Sequence, residues 1–166
     1  MAGFRLLAIV VVCAALTACA PSKFQTYDGP EVTRILVFKE SRRMYLMHGH
    51  VPLRVFDIDL GFAPEGDKKV EGDGRTPEGD YIIDRRNPES LFHLSLGISY
   101  PSLSDAEEAR ELGAGPGGDI FIHGGPRLGI DRNGPDWTAG CIAVTNEEIE
   151  EIYAMVRTGT PISIYP

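Results

Sequence analysis

The chain has 166 residues, 43% of them hydrophobic, with 16 basic against 24 acidic residues and a formal net charge of −8. That length gives room for one domain with a real apolar core. The acidic balance, with no Lys/Arg cluster along the chain, disfavours nucleic-acid binding and polybasic attachment to lipid head groups.

The first element is a leader. Arg5 supplies a positive start and residues 6–16 are almost wholly apolar, so residues 1–18 read as a secretory signal peptide. The apolar run is too short for a permanent bilayer anchor. It ends in Leu16-Thr17-Ala18-Cys19, which resembles the bacterial lipobox, where cleavage leaves a cysteine to be lipidated. Removal of the leader takes Arg5 with it and leaves 15 basic against 24 acidic residues, net −9. Residues 19–31, polar and containing Pro21 and Pro30, read as a tether between lipid and domain. The domain itself is expected over 32–166.

Within the domain the pattern is strand-rich. Residues 32–38 are apolar and β-branched; 44–47 and 51–60 flank His48-Gly49-His50 as a hairpin. Residues 61–79 form a loop of Gly, Pro and charge, long enough to be a candidate functional loop. Strand character resumes over 81–83 and 91–100. Ser104-Asp105-Ala106-Glu107 matches a capping box, and Gly113 stops that helix. A strand is expected over 119–122. Thr145-Asn146-Glu147-Glu148 is a second box, opening a helix with Ile149, Ile152, Tyr153 and Val156 on one face. Residues 161–165 close the chain as a strand. The expected fold is mainly β with two short helices, a single domain built as a β-sandwich or distorted barrel.

Three motifs lead nowhere. The run Gly113-Ala114-Gly115-Pro116-Gly117-Gly118 is followed by a strand, whereas a phosphate cradle needs a helix N-terminus. His48 and His50 lack further ligands nearby, so an exposed turn is expected rather than a metal site. Glu71-Gly72-Asp73-Gly74 lacks the acidic spacing of a calcium loop and reads as a solvated turn.

The chemistry concentrates between residues 120 and 144. Cys13 leaves with the signal peptide and Cys19 becomes a thioether, so Cys141 remains as a lone thiol in an exported protein. His123 and Cys141 each stand at the edge of an expected strand with a glycine beside them. A neighbouring imidazole can take a thiol proton and return it to a leaving amine. Gly140 lets backbone pass close to a substrate, and amides around Cys141 are available to a developing oxyanion. Gly124 leaves a carbonyl accessible to orient the imidazole. Residue types alone favour a structural cysteine beside a strand-end histidine; the lone-thiol argument tips the reading towards catalysis.

At these residues the chain resembles a known family. His123, fourteen intervening residues, then Thr138-Ala139-Gly140-Cys141 is similar to the signature of the L,D-transpeptidase (YkuD-like) catalytic domain, a histidine followed by Ser/Thr-His-Gly-Cys. Thr76-Pro77-Glu78-Gly79 resembles that family's turn into a strand. The segments Gly66-Asp67-Lys68, Ile98-Ser99-Tyr100-Pro101 and Gly140-Cys141-Ile142-Ala143-Val144-Thr145 resemble its YafK-like branch. The resemblance implies a YkuD-like, mainly β fold and peptidoglycan stem peptides as substrate, with no metal and no organic cofactor. It implies Cys141 as nucleophile, attacking the bond after the L-centre of diaminopimelate and expelling D-alanine to leave a thioester. It further implies His123 as base and acid, Gly124 as the orienting carbonyl, and Gly140 as backbone beside the oxyanion site. Thr138 and Ala139 fall on the substrate side.

Two departures stand out. Ala139 replaces the usual second histidine, and Ala143 stands where Asn or Arg is frequent. His93, in an alternating run, is a candidate to line the cleft and partly replace the lost imidazole. The YafK-like branch also brings in hydrolytic release of a wall-linked lipoprotein. Three readings are therefore open: transfer through the thioester, hydrolysis, or a non-catalytic wall-binding lipoprotein. The expected location is outside the cytoplasm, lipid-anchored through Cys19 and facing the periplasm or cell wall.

Overall fold

A computed structural model describes residues 22–131 and 134–166. Eight strands and two helices follow one another as β1 (Arg34–Phe38), β2 (Arg43–His48), β3 (Val51–Asp57), β4 (Gly79–Asn87), β5 (Ser95–Ile98), α1 (Leu103–Glu111), β6 (Phe121–His123), β7 (Ile142–Ala143), α2 (Asn146–Met155) and β8 (Pro161–Tyr165). All eight strands join one sheet in the order β3-β2-β1-β8-β4-β5-β6-β7. The final strand is therefore inserted beside the first, with β1 and β8 parallel and Ile35 opposite Ile162. Just past β3, Asp59 pairs with Ala143 of β7, N–H to C=O in both directions at 2.9 and 2.8 Å. Those bonds curl the sheet towards closure, so the distorted-barrel alternative, rather than two separate sheets, describes the fold.

Period-two patterning decides which faces turn inward. Ile35 and Val37 of β1, Met44 and Leu46 of β2, and Ile162 and Ile164 of β8 are all buried. In β5 every residue is buried, because α2 covers its outer face. The opposite edge, β3, shows Val51 and Val55 to solvent and carries Pro52 and a register shift opposite Leu46 and Met47. A proline and a bulge on an edge strand discourage pairing with another chain.

The second helix forms as its sequence dictates. Thr145 is the N-cap, its hydroxyl accepting the Glu148 N–H at 3.2 Å while the Glu148 carboxylate accepts the Thr145 N–H at 2.9 Å. Ile149, Ile152, Tyr153 and Val156 are all buried. The C-terminal carbonyls of Tyr153 and Val156 accept from the Arg86 guanidinium, which also stacks on the Tyr153 ring at 3.9 Å. The first helix is capped two residues earlier than expected, by Ser102 with Asp105 at N3.

Three sequence expectations need correction here. Strand 91–100 shrinks to β5, because His93 takes a left-handed conformation (φ +72°) and turns the chain before Ser95. The tether is not free over its described part. Lys23 Nζ donates to the carbonyls of Pro88 and His93 at 2.7 and 3.1 Å, Phe24 packs on Tyr153, and Gln25 donates to Glu150. Asp73 is not solvated; its carboxylate accepts from the backbone of Lys69, Val70 and Arg75 and pairs with Lys68. The leader and Cys19 lie outside the described residues.

Candidate active site

His123 ends β6, opposite Ser95 of β5. Its Nδ1 lies 2.7 Å from the Gly124 carbonyl, which fixes the tautomer: Nδ1 carries the proton and Nε2 the lone pair. Among the described residues Nε2 has no partner and no buried side-chain nitrogen or oxygen goes unpaired, so Nε2 opens to the cleft. Phe92 stacks on the imidazole at 4.3 Å and Trp137 meets it edge-on at 5.5 Å. Gly124 has no room for a side chain, since a Cβ would lie 2.6 Å from Asn146 Oδ1 and 2.9 Å from Ile149.

Cys141 sits just before β7, at the end of a turn stapled by Thr138. The Thr138 hydroxyl donates to the Cys141 carbonyl at 2.7 Å and accepts the Gly140 N–H at 3.1 Å. Gly140 has φ +130°, and a Cβ there would meet the Arg75 carbonyl oxygen at 2.7 Å. That contact needs glycine and places the 61–79 loop directly behind the Cys141 turn. The same loop touches the turn again at Gly61, where a Cβ would lie 2.9 Å from Gly140 Cα.

The thiol and imidazole share one cleft of about 280 Å³, walled by Leu91, Phe92, Asp119 and Phe121. A larger groove of about 580 Å³ around Lys39, Glu65 and Glu78 holds no thiol, hydroxyl or imidazole side chain. Its buried Lys39 ammonium is already engaged by the carbonyls of Gly66 and Thr76 and by Glu78. The chemistry therefore belongs to the smaller cleft.

Both reactive groups rest neutral. Burial pulls the His123 pKa below its ordinary value, against the opposing pull of the Gly124 carbonyl and Asp131. Burial pushes the Cys141 thiol up, partly offset by the Phe121 N–H facing the sulfur. The thiol donates to the Asp119 carbonyl at 3.5 Å rather than to His123. Asp119 is itself left-handed, at φ +55°. Thiol and imidazole therefore do not stand as a preformed ion pair.

The remaining expected site residues divide. The Gly124 carbonyl faces the imidazole Nδ1. Gly140 contributes shape rather than a donor, because its N–H is taken by Thr138; the Cys141 N–H, by contrast, has no partner among the described residues. Thr138 is buried and stapled into the turn, so it shapes the Cys141 backbone and does not face the cleft. Ala139 is exposed. His93 is not in the cleft: its Nε2 is 2.7 Å from Glu150 on α2, and it lines a neighbouring depression with Arg127 and Asn146. It cannot replace the absent second imidazole. Phe92, Asp119 and Trp137 had no motif to mark them, although Trp137 is the chain's one tryptophan and adjoins Thr138. Among the described residues no cluster of His, Cys, Asp and Glu could hold a metal ion.

Residues 32–164 match the family profile of the L,D-transpeptidase catalytic domain, YkuD. Over 145 residues the chain is 29% identical to YafK of Escherichia coli (strain K12), provisionally described as an L,D-transpeptidase, covering 80% of this chain and 53% of that protein. It superposes on the helical cell shape determining protein Pgp2 of Campylobacter jejuni with a TM-score of 0.63 and 27% identity, over 83% of this chain and 49% of that one. Bd1075 of Bdellovibrio bacteriovorus gives a TM-score of 0.57 and 27% identity, over 81% and 48%. The chain thus spans about half the length of each of these relatives.

Proposed function

Because this chain belongs to the L,D-transpeptidase catalytic domain family, we propose that it is a cysteine-dependent acyltransferase acting on diaminopimelate-containing stem peptides of peptidoglycan. The observation that carries the reading is the convergence of Cys141 and His123 in one cleft, with Nδ1 pinned by Gly124 and Nε2 open. As the donor carbonyl arrives, the Cys141 Sγ proton passes to Nε2 and a sulfur–carbon bond forms. The oxyanion accepts from the unpartnered Cys141 N–H. The carbon–nitrogen bond to D-alanine then breaks, and Nε2 returns the proton to the leaving amine. The thioester that remains is resolved by an acceptor amine, giving a crosslink or a wall-attached protein, or by water, giving hydrolysis.

Purified protein incubated with tetrapeptide muropeptides, with and without an amine acceptor, tests this by mass. Loss of D-alanine with a matching acceptor adduct is expected; loss without adduct in the presence of acceptor assigns hydrolysis. Cys141→Ala removes the nucleophile and little volume, so it should abolish both products in a folded protein. Undiminished turnover in that variant overturns the cysteine mechanism, and absence of turnover in the wild type returns the protein to the wall-binding class. For location we propose that Cys19 carries a lipid, on the lipobox-like run Leu16-Thr17-Ala18-Cys19; Cys19→Ala should then release the protein to the soluble fraction or stall its processing. Normal processing with unchanged membrane association would refute that placement.

A further inference from the structure

The carboxylate of Asp59 touches neither Cys141 nor His123, yet it holds the segment that joins them. One oxygen accepts the Trp137 indole N–H at 3.1 Å and the other the Asp136 backbone N–H at 3.2 Å. Its own backbone is locked to Ala143, two residues past the nucleophile. Trp137 is 8% exposed; its indole lies edge-on to the imidazole, and the Phe92 ring is tilted against both. On its other side there is no slack: a Cβ on Gly125 would come within 3.1 Å of the ring. Asp136, left-handed at φ +50°, is gripped in turn by the Arg42 guanidinium at 2.7 Å and accepts the Leu60 N–H. The next residue is Thr138, the staple of the nucleophile turn.

We propose that Asp59 is a positioning residue for both partners of the catalytic pair, setting the His123 ring plane through Trp137 and the Cys141 turn through the Asp136–Thr138 backbone. The inference rests on the reading of Cys141 and His123 as that pair. Nothing else in the site explains a buried indole N–H aimed at a carboxylate one strand away. The imidazole has one hydrogen bond of its own, at Nδ1, which leaves rotation about that bond to be stopped by packing alone. Phe92 and Trp137 stop it, and Asp59 stops Trp137.

The test uses the mature chain with Trp137→Phe, Asp59→Ala and Asp59→Asn. Three quantities are read: the His123 titration by NMR, the rate of Cys141 alkylation by iodoacetamide, and kcat and KM on muropeptides. Trp137→Phe and Asp59→Ala should lower kcat by about ten- to a hundredfold, the scale of small misplacements in an active site, with little change in KM. Both should raise the His123 midpoint towards its ordinary value as water reaches the loosened ring. The charged groups facing that ring, Arg127 and Asp131, are unchanged in all three variants. Trp137→Phe keeps the Asp59 charge, so a common direction in the two variants excludes a simple charge effect. Asp59→Asn keeps one acceptor oxygen, enough for the indole or the Asp136 N–H but not both, and should fall between wild type and Asp59→Ala. Lower thermal stability with an unmoved His123 titration and unchanged kcat would overturn the proposal, and if Asp59→Ala does not fold, Trp137→Phe decides it. If wild type turns over no muropeptide, the functional reading fails, while titration and alkylation still decide the positioning role.

Discussion

Replacing Asp73 by asparagine should destabilise the domain in a pH-dependent way. The Asp73 carboxylate accepts N–H groups from Lys69, Val70 and Arg75 at 2.7 to 3.1 Å and pairs with the Lys68 ammonium at 2.9 Å. Burial alone would raise its pKa; Lys68 and the three amides overcome this and bring it from 3.8 down to about 2. A drop of that size corresponds to about 2 kcal/mol of stability at neutral pH. The folded-state pKa is the lower one, so this stability is complete above pH 3.8 and is lost as pH falls through about 2. About 1 kcal/mol of it is gone by pH 3. Asp73→Asn also strands Lys68, whose side chain is 3% exposed, with only the Val70 carbonyl for company. Breaking a buried pair from one side costs roughly 3–5 kcal/mol, so about 3 kcal/mol is expected at pH 7. Urea unfolding followed by Trp137 fluorescence measures it, and a midpoint shift of about 1–2 M follows from ordinary slopes. The gap between variant and wild type should narrow by about 1 kcal/mol between pH 7 and pH 3. A gap independent of pH, or one below about 0.5 kcal/mol at pH 7, would refute the reasoning.

Two further outcomes follow from the site. With the His123 pKa held down by burial, the acid limb of kcat/KM should have its midpoint below pH 6.5 and should disappear with the residual activity of His123→Gln. A limb centred above 6.5 would contradict a desolvated base. Ala139 is exposed, so Ala139→His should fold with a stability within about 0.5 kcal/mol of wild type. If a second imidazole favours transfer, the adduct-to-hydrolysis ratio rises in that variant; an unchanged ratio would show that this position does not set the outcome.

Local signals in the sequence survived folding, and tertiary ones did not announce themselves. The box at Thr145 and the apolar face of α2 are written within a dozen residues, and both appear as read. The strand at residues 161–165 needs only its own alternation, but nothing in it reveals that it will lie beside β1. The first helix was misplaced because Ser102 and Ser104 compete as caps, and Asp105 decides between them by reaching the Ser102 N–H at 2.7 Å. His93 looked like strand because its neighbours alternate; its left-handed turn is held by Lys23, seventy residues earlier. Asp73 looked solvated because glycine and charge surround it, and only the fold reveals Lys68 buried against it. That His123 and Cys141 could be picked out as a candidate pair owes to the glycines and strand edges beside them, which are local facts; the structure places both in one cleft. Asp59 and Trp137 were not legible, since their partnership spans 78 residues.

The docking of residues 22–25 onto the Pro88–His93 loop and α2 shortens the leash. The same loop contributes Ser90, Leu91 and Phe92 to the cleft, so residues 22–25, the first described, lie beside the candidate site. Three residues of extended backbone reach roughly 10 Å. A lipid on Cys19 would therefore hold the cleft against the bilayer with almost no freedom to swing outwards. Only strands of wall that come down to the membrane surface would fall within its reach. A longer, undocked tether would trade that restriction for a patrol radius, so with a lipid on Cys19 it would be Lys23 that set how far the cleft could range.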